Sequence, residues 1–343
     1  MKKSSVLAAC VTAAFVLAFA LPAFAEGAKD QAAPAAAAAP VVMKIGHAQP
    51  VTHPRHESLL KFKELVEQRT GGQIKVEIYP ASQLGDEASM LDATKLGTLQ
   101  ATRGGLFERV SPRLLVYTLP FLFDNLDGIE KVTMGALGDK IASEAEKNGL
   151  LVLTTGDAGG FRQITNNVRA VAKPEDLKGL KIRAPGVKTI VKTLEAFGAN
   201  VVTIPYGETY MALKSGVADG QENPFVNIEA MKFYEVQKYL TVVDYQFHPD
   251  PFNVNPKWYK SLSAENQKIV KDCAIESMKY NNQLNKIAGA KAFEVMKNAL
   301  QVTELTDAQR QVFKDRAKDV YATFIAEGVT TQEEIDAIKA TAQ

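Results

Sequence analysis

The apolar positions of the chain switch repeatedly between two periods. Val42-Met43-Lys44-Ile45-Gly46-His47 and Lys75-Val76-Glu77-Ile78-Tyr79 read as short strands, the second an alternating run stopped by Pro80. Between them Leu59, Phe62, Leu65 and Val66 recur at spacings of three and four, which predicts a helix over 54–70 ended by Gly71-Gly72. A helix over 86–96 closed by Gly97 and a strand over 99–102 continue the rhythm. Farther on the pattern predicts strands at 150–154, 181–183 and 201–204, and helices at 187–197 and 207–214 stopped by Gly198 and Gly216. Such alternation predicts an α/β architecture with helices covering central sheets.

One stretch does not fit a single compact lobe. From Ser263, an N-cap residue type, to about position 300 the chain is helical in pattern, without proline and with Gly289 as its one glycine. At 1.5 Å per residue that helix is roughly 55 Å long. It either breaks near Gly289 or runs along two lobes. The 343 residues suffice for two α/β lobes. A cleft between two such lobes is where a small ligand binds.

The first residues carry a different signal. Lys2 and Lys3 precede an apolar run over 6–21, and Ala23-Phe24-Ala25 supplies a small-x-small cleavage pattern. This predicts a secretory signal peptide cut after Ala25 and export to the periplasm. Leu7-Ala8-Ala9-Cys10 also matches a lipoprotein box, but most of the apolar run follows it rather than preceding it, so a lipid anchor is the lesser reading. Residues 26–40 are rich in Ala and Pro and are expected to be a disordered spacer. The binding protein proper is expected over 41–343. Losing Lys2 and Lys3, with no acid before Ala25, takes the formal charge from +1 to −1, which argues against nucleic acid as a partner. Cys273 is then the remaining thiol. Set in a helical pattern beside Ile269, Val270 and Ala274, it reads as buried and inert.

Candidate chemistry is defined mostly by what is missing. The four histidines His47, His53, His56 and His248 form no zinc helix, and His53 and His56 read as the start of a helix around Pro54. There is no nucleophile elbow, phosphate loop or dinucleotide fingerprint, so no enzyme activity, metal or cofactor is expected. Gly156-Asp157-Ala158-Gly159-Gly160 reads as a turn or hinge. Two segments stand out. In Lys181-Ile182-Arg183-Ala184-Pro185 an arginine ends a strand beside a helix start, a place suited to an anion, although the local pattern alone fits an ordinary surface arginine better. In 218–224, Ala-Asp-Gly-Gln-Glu-Asn-Pro reads as irregular polar backbone that serves either a turn or a site.

Taken together these segments resemble a known family. Lys-Ile-Arg-Ala-Pro at 181–185, Gly-Ala-Asn at 198–200, Tyr-Gly-Glu-Thr-Tyr at 206–210 and the Gln-Glu-Asn-Pro run ending at Pro224 are similar to the substrate-binding proteins of tripartite ATP-independent periplasmic (TRAP) transporters, the DctP-like group in particular. Tyr79-Pro80-Ala81-Ser82-Gln83-Leu84-Gly85 and the run over 232–238 extend the likeness across nearly all of 42–338. The resemblance implies a two-lobed α/β fold with a long helix spanning both lobes. It implies a small organic anion held in the cleft and delivered to membrane transporter subunits. Arg183 then pairs with the ligand carboxylate, Asn223 helps position that pair, Arg162 of Gly160-Phe161-Arg162-Gln163 is a second arginine, and Tyr206 lines the pocket. Arg103 is expected to add positive charge, and Tyr245, in the aromatic segment 245–252, to shape a flat pocket; His47 completes the candidate ligand-binding set. Glycine stands where sialic-acid-binding members carry a glutamate, which leaves a dicarboxylate, an acidic heterocycle or an aromatic acid as expected ligands. A ligand-sensing partner of a receptor, and an enzyme on the same scaffold, are the rival functions.

Overall fold

The strands build one sheet that is continuous across the described residues. The computed structural model describes residues 39–343. The expected signal peptide, the box at Cys10 and nearly all of the spacer lie outside the described residues. The strands are β1 Val41–Gly46, β2 Ile74–Tyr79, β3 Ala101–Arg103, β4 Leu151–Asn166, β5 Lys181–Ala184, β6 Asn200–Thr203, β7 Gly220–Pro224, β8 Tyr239–Val242, β9 Phe247–Val254 and β10 Gln301–Glu304. Their order is β2-β1-β3-β9-β4-β7-β5-β6, with β8 also on β4 and β10 on β8.

The first lobe is built on β1, parallel to β2 and β3, and on β9, which runs antiparallel to β3 and to the first part of β4. The second lobe is built on the last part of β4, antiparallel to β7 and β8, with β5 parallel to β6 and β7. Thus β4 is one strand of 16 residues shared by both lobes. The glycine segment expected to turn instead continues this strand. Gly159 and Gly160 have φ of 138° and 102°, a backbone region L-residues avoid, and the register with β9 shifts between Asp157 and Phe161. The Asp157 carboxylate fixes this kink by accepting from both glycine amides, at 2.9 and 2.6 Å. A second correction concerns 218–224. Its polar residues form β7, a buried central strand, because β4 and β5 supply the ladder partners that the composition alone did not promise.

The long helix runs unbroken over Ala264–Ala299, with Ser263 capping Asn266 N and no interruption at Gly289. Its length is about 54 Å. One end, through Val270, Cys273, Ala274 and Met278, packs with Met43, Ile45, Phe62, Val66 and Phe252. The other end, through Ala292 and Met296, packs with Ile228, Phe233 and Leu240 in the second lobe. Val270, Met278 and Met296 each stabilise by about 1.5–3 kcal/mol on burial, so the helix is fastened at both ends. Its middle is polar for a reason: Asn281 and Asn285 donate to the carbonyl of Asp157 at 2.6 and 2.7 Å, and Asn282 accepts from its amide. Cys273 is buried, with its thiol pKa pushed up by desolvation, as the inert reading expected.

Candidate ligand-binding site

Two clusters of buried arginines face each other where the lobes meet. In the second lobe, Arg183 ends β5. Its Nε and Nη2 donate to the carbonyl of Ile204 at 2.9 and 2.6 Å, and its guanidinium lies 5.9 Å from the Tyr206 ring centre. It forms no salt bridge with a described residue. Burial lowers its pKa to about 10, so it stays cationic at neutral pH. Arg162, on β4, pairs with Glu222 of β7 through two nitrogens, with Nη2 to Oε1 at 2.7 Å, and its Nη1 is buried without a partner. The Tyr245 hydroxyl donates to the same carboxylate at 2.6 Å. Asn223 donates to Gln221 Oε1 at 2.6 Å and its Oδ1 lies 3.5 Å from Arg162 Nη2. Five of the expected residues, Arg183, Asn223, Arg162, Tyr206 and Tyr245, therefore come together.

The first lobe holds the other two. Arg103, at the end of β3, donates to Asp250 at 2.5 Å and to Ser58 at 2.8 Å, and its side chain is fully buried. The expected positive charge of Arg103 is thus paired with Asp250 of β9. Asp250 also accepts from Arg55 Nε at 2.9 Å. Helix α1, Pro54–Arg69, starts at His53, whose ring nitrogen accepts from Arg55 N at 3.0 Å and so caps the helix. That is the role the sequence assigned to this region. His47 is buried, with Nε2 3.2 Å from His56 Nδ1. Desolvation, then the charge of Arg55, lowers its pKa to about 2.

Polar contacts bridge the lobes. The Tyr206 hydroxyl donates to Gln49 Oε1 at 3.1 Å, and His53 Nε2 lies 3.4 Å from Asn227 Oδ1 on the helix Phe225–Ala230. Helix α2, Glu87–Leu96, brings its first residue to the same region: Glu87 Oε1 accepts from Gly105 N at 3.2 Å and lies 3.9 Å from Arg55 Nη1. A side chain at Gly105 would stand 2.7 Å from His248 Nε2, so glycine lets that imidazole approach. Arg55, Glu87, Glu222, His248 and Asp250 were not singled out from the sequence. Their signal was a charged or polar residue inside an otherwise buried element, which demands a partner but does not name it.

The fold and this cleft define a two-lobed solute-binding protein. The chain belongs to the bacterial extracellular solute-binding protein family 7 (DctP), whose family model matches residues 45–327. It is 30% identical over 303 residues to the 2,3-diketo-L-gulonate-binding periplasmic protein YiaO of Escherichia coli, covering 87% of this chain and 92% of that one. It is 32% identical over 286 residues to the C4-dicarboxylate-binding periplasmic protein DctP of Rhodobacter capsulatus, covering 82% and 85%. A TRAP periplasmic solute-binding protein from Shewanella oneidensis with bound succinate superposes with a TM-score of 0.84 at 31% identity, over 89% of this chain and all of that one. The family is the one the sequence motifs resembled. Among the described residues no helix is long and apolar enough to cross a membrane.

Proposed function

We propose that this chain is a periplasmic binding protein that captures a small organic acid between its lobes and delivers it to the membrane subunits of a TRAP transporter. The observation that carries this reading is Arg183, a buried guanidinium held in place by the Ile204 carbonyl and matched by no carboxylate of the described chain. A guanidinium presents parallel donors that fit a carboxylate, and lysine does not reproduce that fork. Asn223 and the Arg162–Glu222 pair flank it and hold the geometry. Relatives of this chain are named as binding proteins, which favours capture over turnover.

The test is calorimetric titration of the protein with a panel of carboxylic acids, repeated on Arg183→Ala. The best acid should lose about 2–5 kcal/mol of binding in the variant, because its desolvated carboxylate is left without a partner. Thermal stability without ligand should change little. Unaltered affinity in Arg183→Ala would reject the role given to this residue.

A further inference from the structure

We infer that Tyr206 is the latch that holds the two lobes together over a bound acid, with Gln49 as its catch on the opposite lobe. This deepens the preceding reading and rests on it, because the acid held at Arg183 is what the closed lobes enclose.

Tyr206 is a side chain in which contacts of both lobes meet. It follows β6, the outermost strand of the second lobe, and its ring meets Phe233 of that lobe edge-on at 6.0 Å. The same ring packs against Ala48, Met90 and Leu99, a small apolar cluster of the first lobe. Its hydroxyl donates to Gln49 Oε1 at 3.1 Å, just beyond the end of β1. In strand order β1 and β6 each stand three places from the shared strand β4. Within the sheet they are joined only by way of β4, so parting the lobes withdraws Tyr206 from its first-lobe cluster.

The arrangement suits a catch that releases. The Asn227 carbonyl, in the second lobe, lies 3.3 Å from the same hydroxyl. A phenol has one proton to give, so it can pass from Gln49 to Asn227 as the lobes part and is not left unpaired. One neutral hydrogen bond is exchanged for another, which is a small difference in free energy. Asn227 also carries a second bond between the lobes. His53 Nδ1 accepts from Arg55 N, which leaves the proton on Nε2, and Nε2 donates to Asn227 Oδ1 at 3.4 Å. The Arg183 guanidinium lies 5.9 Å from the centre of the Tyr206 ring, so the side chain that joins the lobes also borders the anchor.

The experiment follows the distance between the lobes with a fluorophore pair on Lys75→Cys and Asn200→Cys, exposed positions on the outermost strands β2 and β6, Cys273 being buried. Succinate, galactonate, orotate and benzoate are added in turn, and reopening is timed after rapid dilution. In Tyr206→Phe, which keeps the ring, reopening should be about fivefold faster, with closing changed by less than about twofold. Gln49→Leu should give the same factor. Because both variants remove one bond, the double variant should reopen no faster than either alone. Tyr206→Ala, which also empties the apolar contact, should reopen at least about thirtyfold faster. Reopening at the unmodified rate in both single variants would overturn the inference and leave Arg183 untouched, as would factors that multiply in the double variant. An acid that binds by calorimetry without closing the lobes would also overturn it. If no acid binds at all, the anchoring role of Arg183 fails and the latch falls with it.

Discussion

The two arginine clusters are built from the same residue types and do different work. In the first lobe one carboxylate, Asp250, serves two guanidinium groups, and its own contacts run to α1 and β3. In the second lobe Glu222 is hydrogen-bonded by Arg162 and Tyr245, while Arg183 is oriented by a backbone carbonyl and makes no salt bridge with a described residue. The difference teaches that burial of an arginine does not identify a ligand contact. The proposed reading instead singles out a guanidinium held by a neutral acceptor and in no salt bridge with a described residue, as Arg183 is. The first cluster joins secondary-structure elements, and the second is the one proposed to receive a ligand.

This contrast can be broken most severely at Asp250. Asp250→Ala leaves Arg55 and Arg103 buried without a carboxylate, and should lower unfolding stability by about 3–5 kcal/mol in a urea titration. A loss below about 1 kcal/mol would mean that the first cluster is not held together by its charges.

A smaller effect follows from the histidines beside that cluster. Desolvation first, then the positive charge of Arg55, holds His53 well below its ordinary value and His47 at about 2, while desolvation and Arg162 lower His248. Unfolded, each titrates near 6.5. Their neutral forms therefore contribute stability that is present above about pH 6.5 and is lost as the pH falls, by about 1.4 kcal/mol per pH unit for each group once well below that value. Asp157 opposes this: its carboxyl is raised to about 6 by burial, so between its unfolded value and about 6 stability falls as pH rises. With four imidazoles lowered, His56 by desolvation as well, against the raised carboxyls of Asp157 and Glu87, unfolding between pH 7 and 5 should take up protons. His53→Asn retains a capping acceptor and should reduce that slope by about one proton. A slope that does not change would place the acid sensitivity elsewhere.

Much of the fold was legible because local signals agreed. Pro54, the stripe of Leu59, Phe62 and Val66, and the double glycine gave α1 to within a residue or so. Ser263 and the absence of proline gave the long helix from cap to cap. The parts that misled are those where distant pairing overrides local preference. Gly156 to Gly160 signal a turn, yet β9 supplies a partner that keeps them in a strand. The aromatic segment 245–252, to which no strand was assigned, supplies most of β9 between β3 and β4. The same holds for the site. Arg183 and Asn223 were named as candidates because short motifs carry them, whereas Arg55 meets Asp250 across a separation of 195 residues. No local pattern announces such a pair, so the Asp250 partner of Arg103 was not visible in the sequence.

The most direct test of the central claim is a crystal structure of the complex with the tightest-binding acid. The account predicts the ligand carboxylate on the Arg183 guanidinium, with Asn223 and Arg162 beside it and the Arg103–Asp250 pair intact. A carboxylate bound instead to Arg103 with Asp250 displaced, or a ligand that leaves Arg183 without an anion, would contradict it.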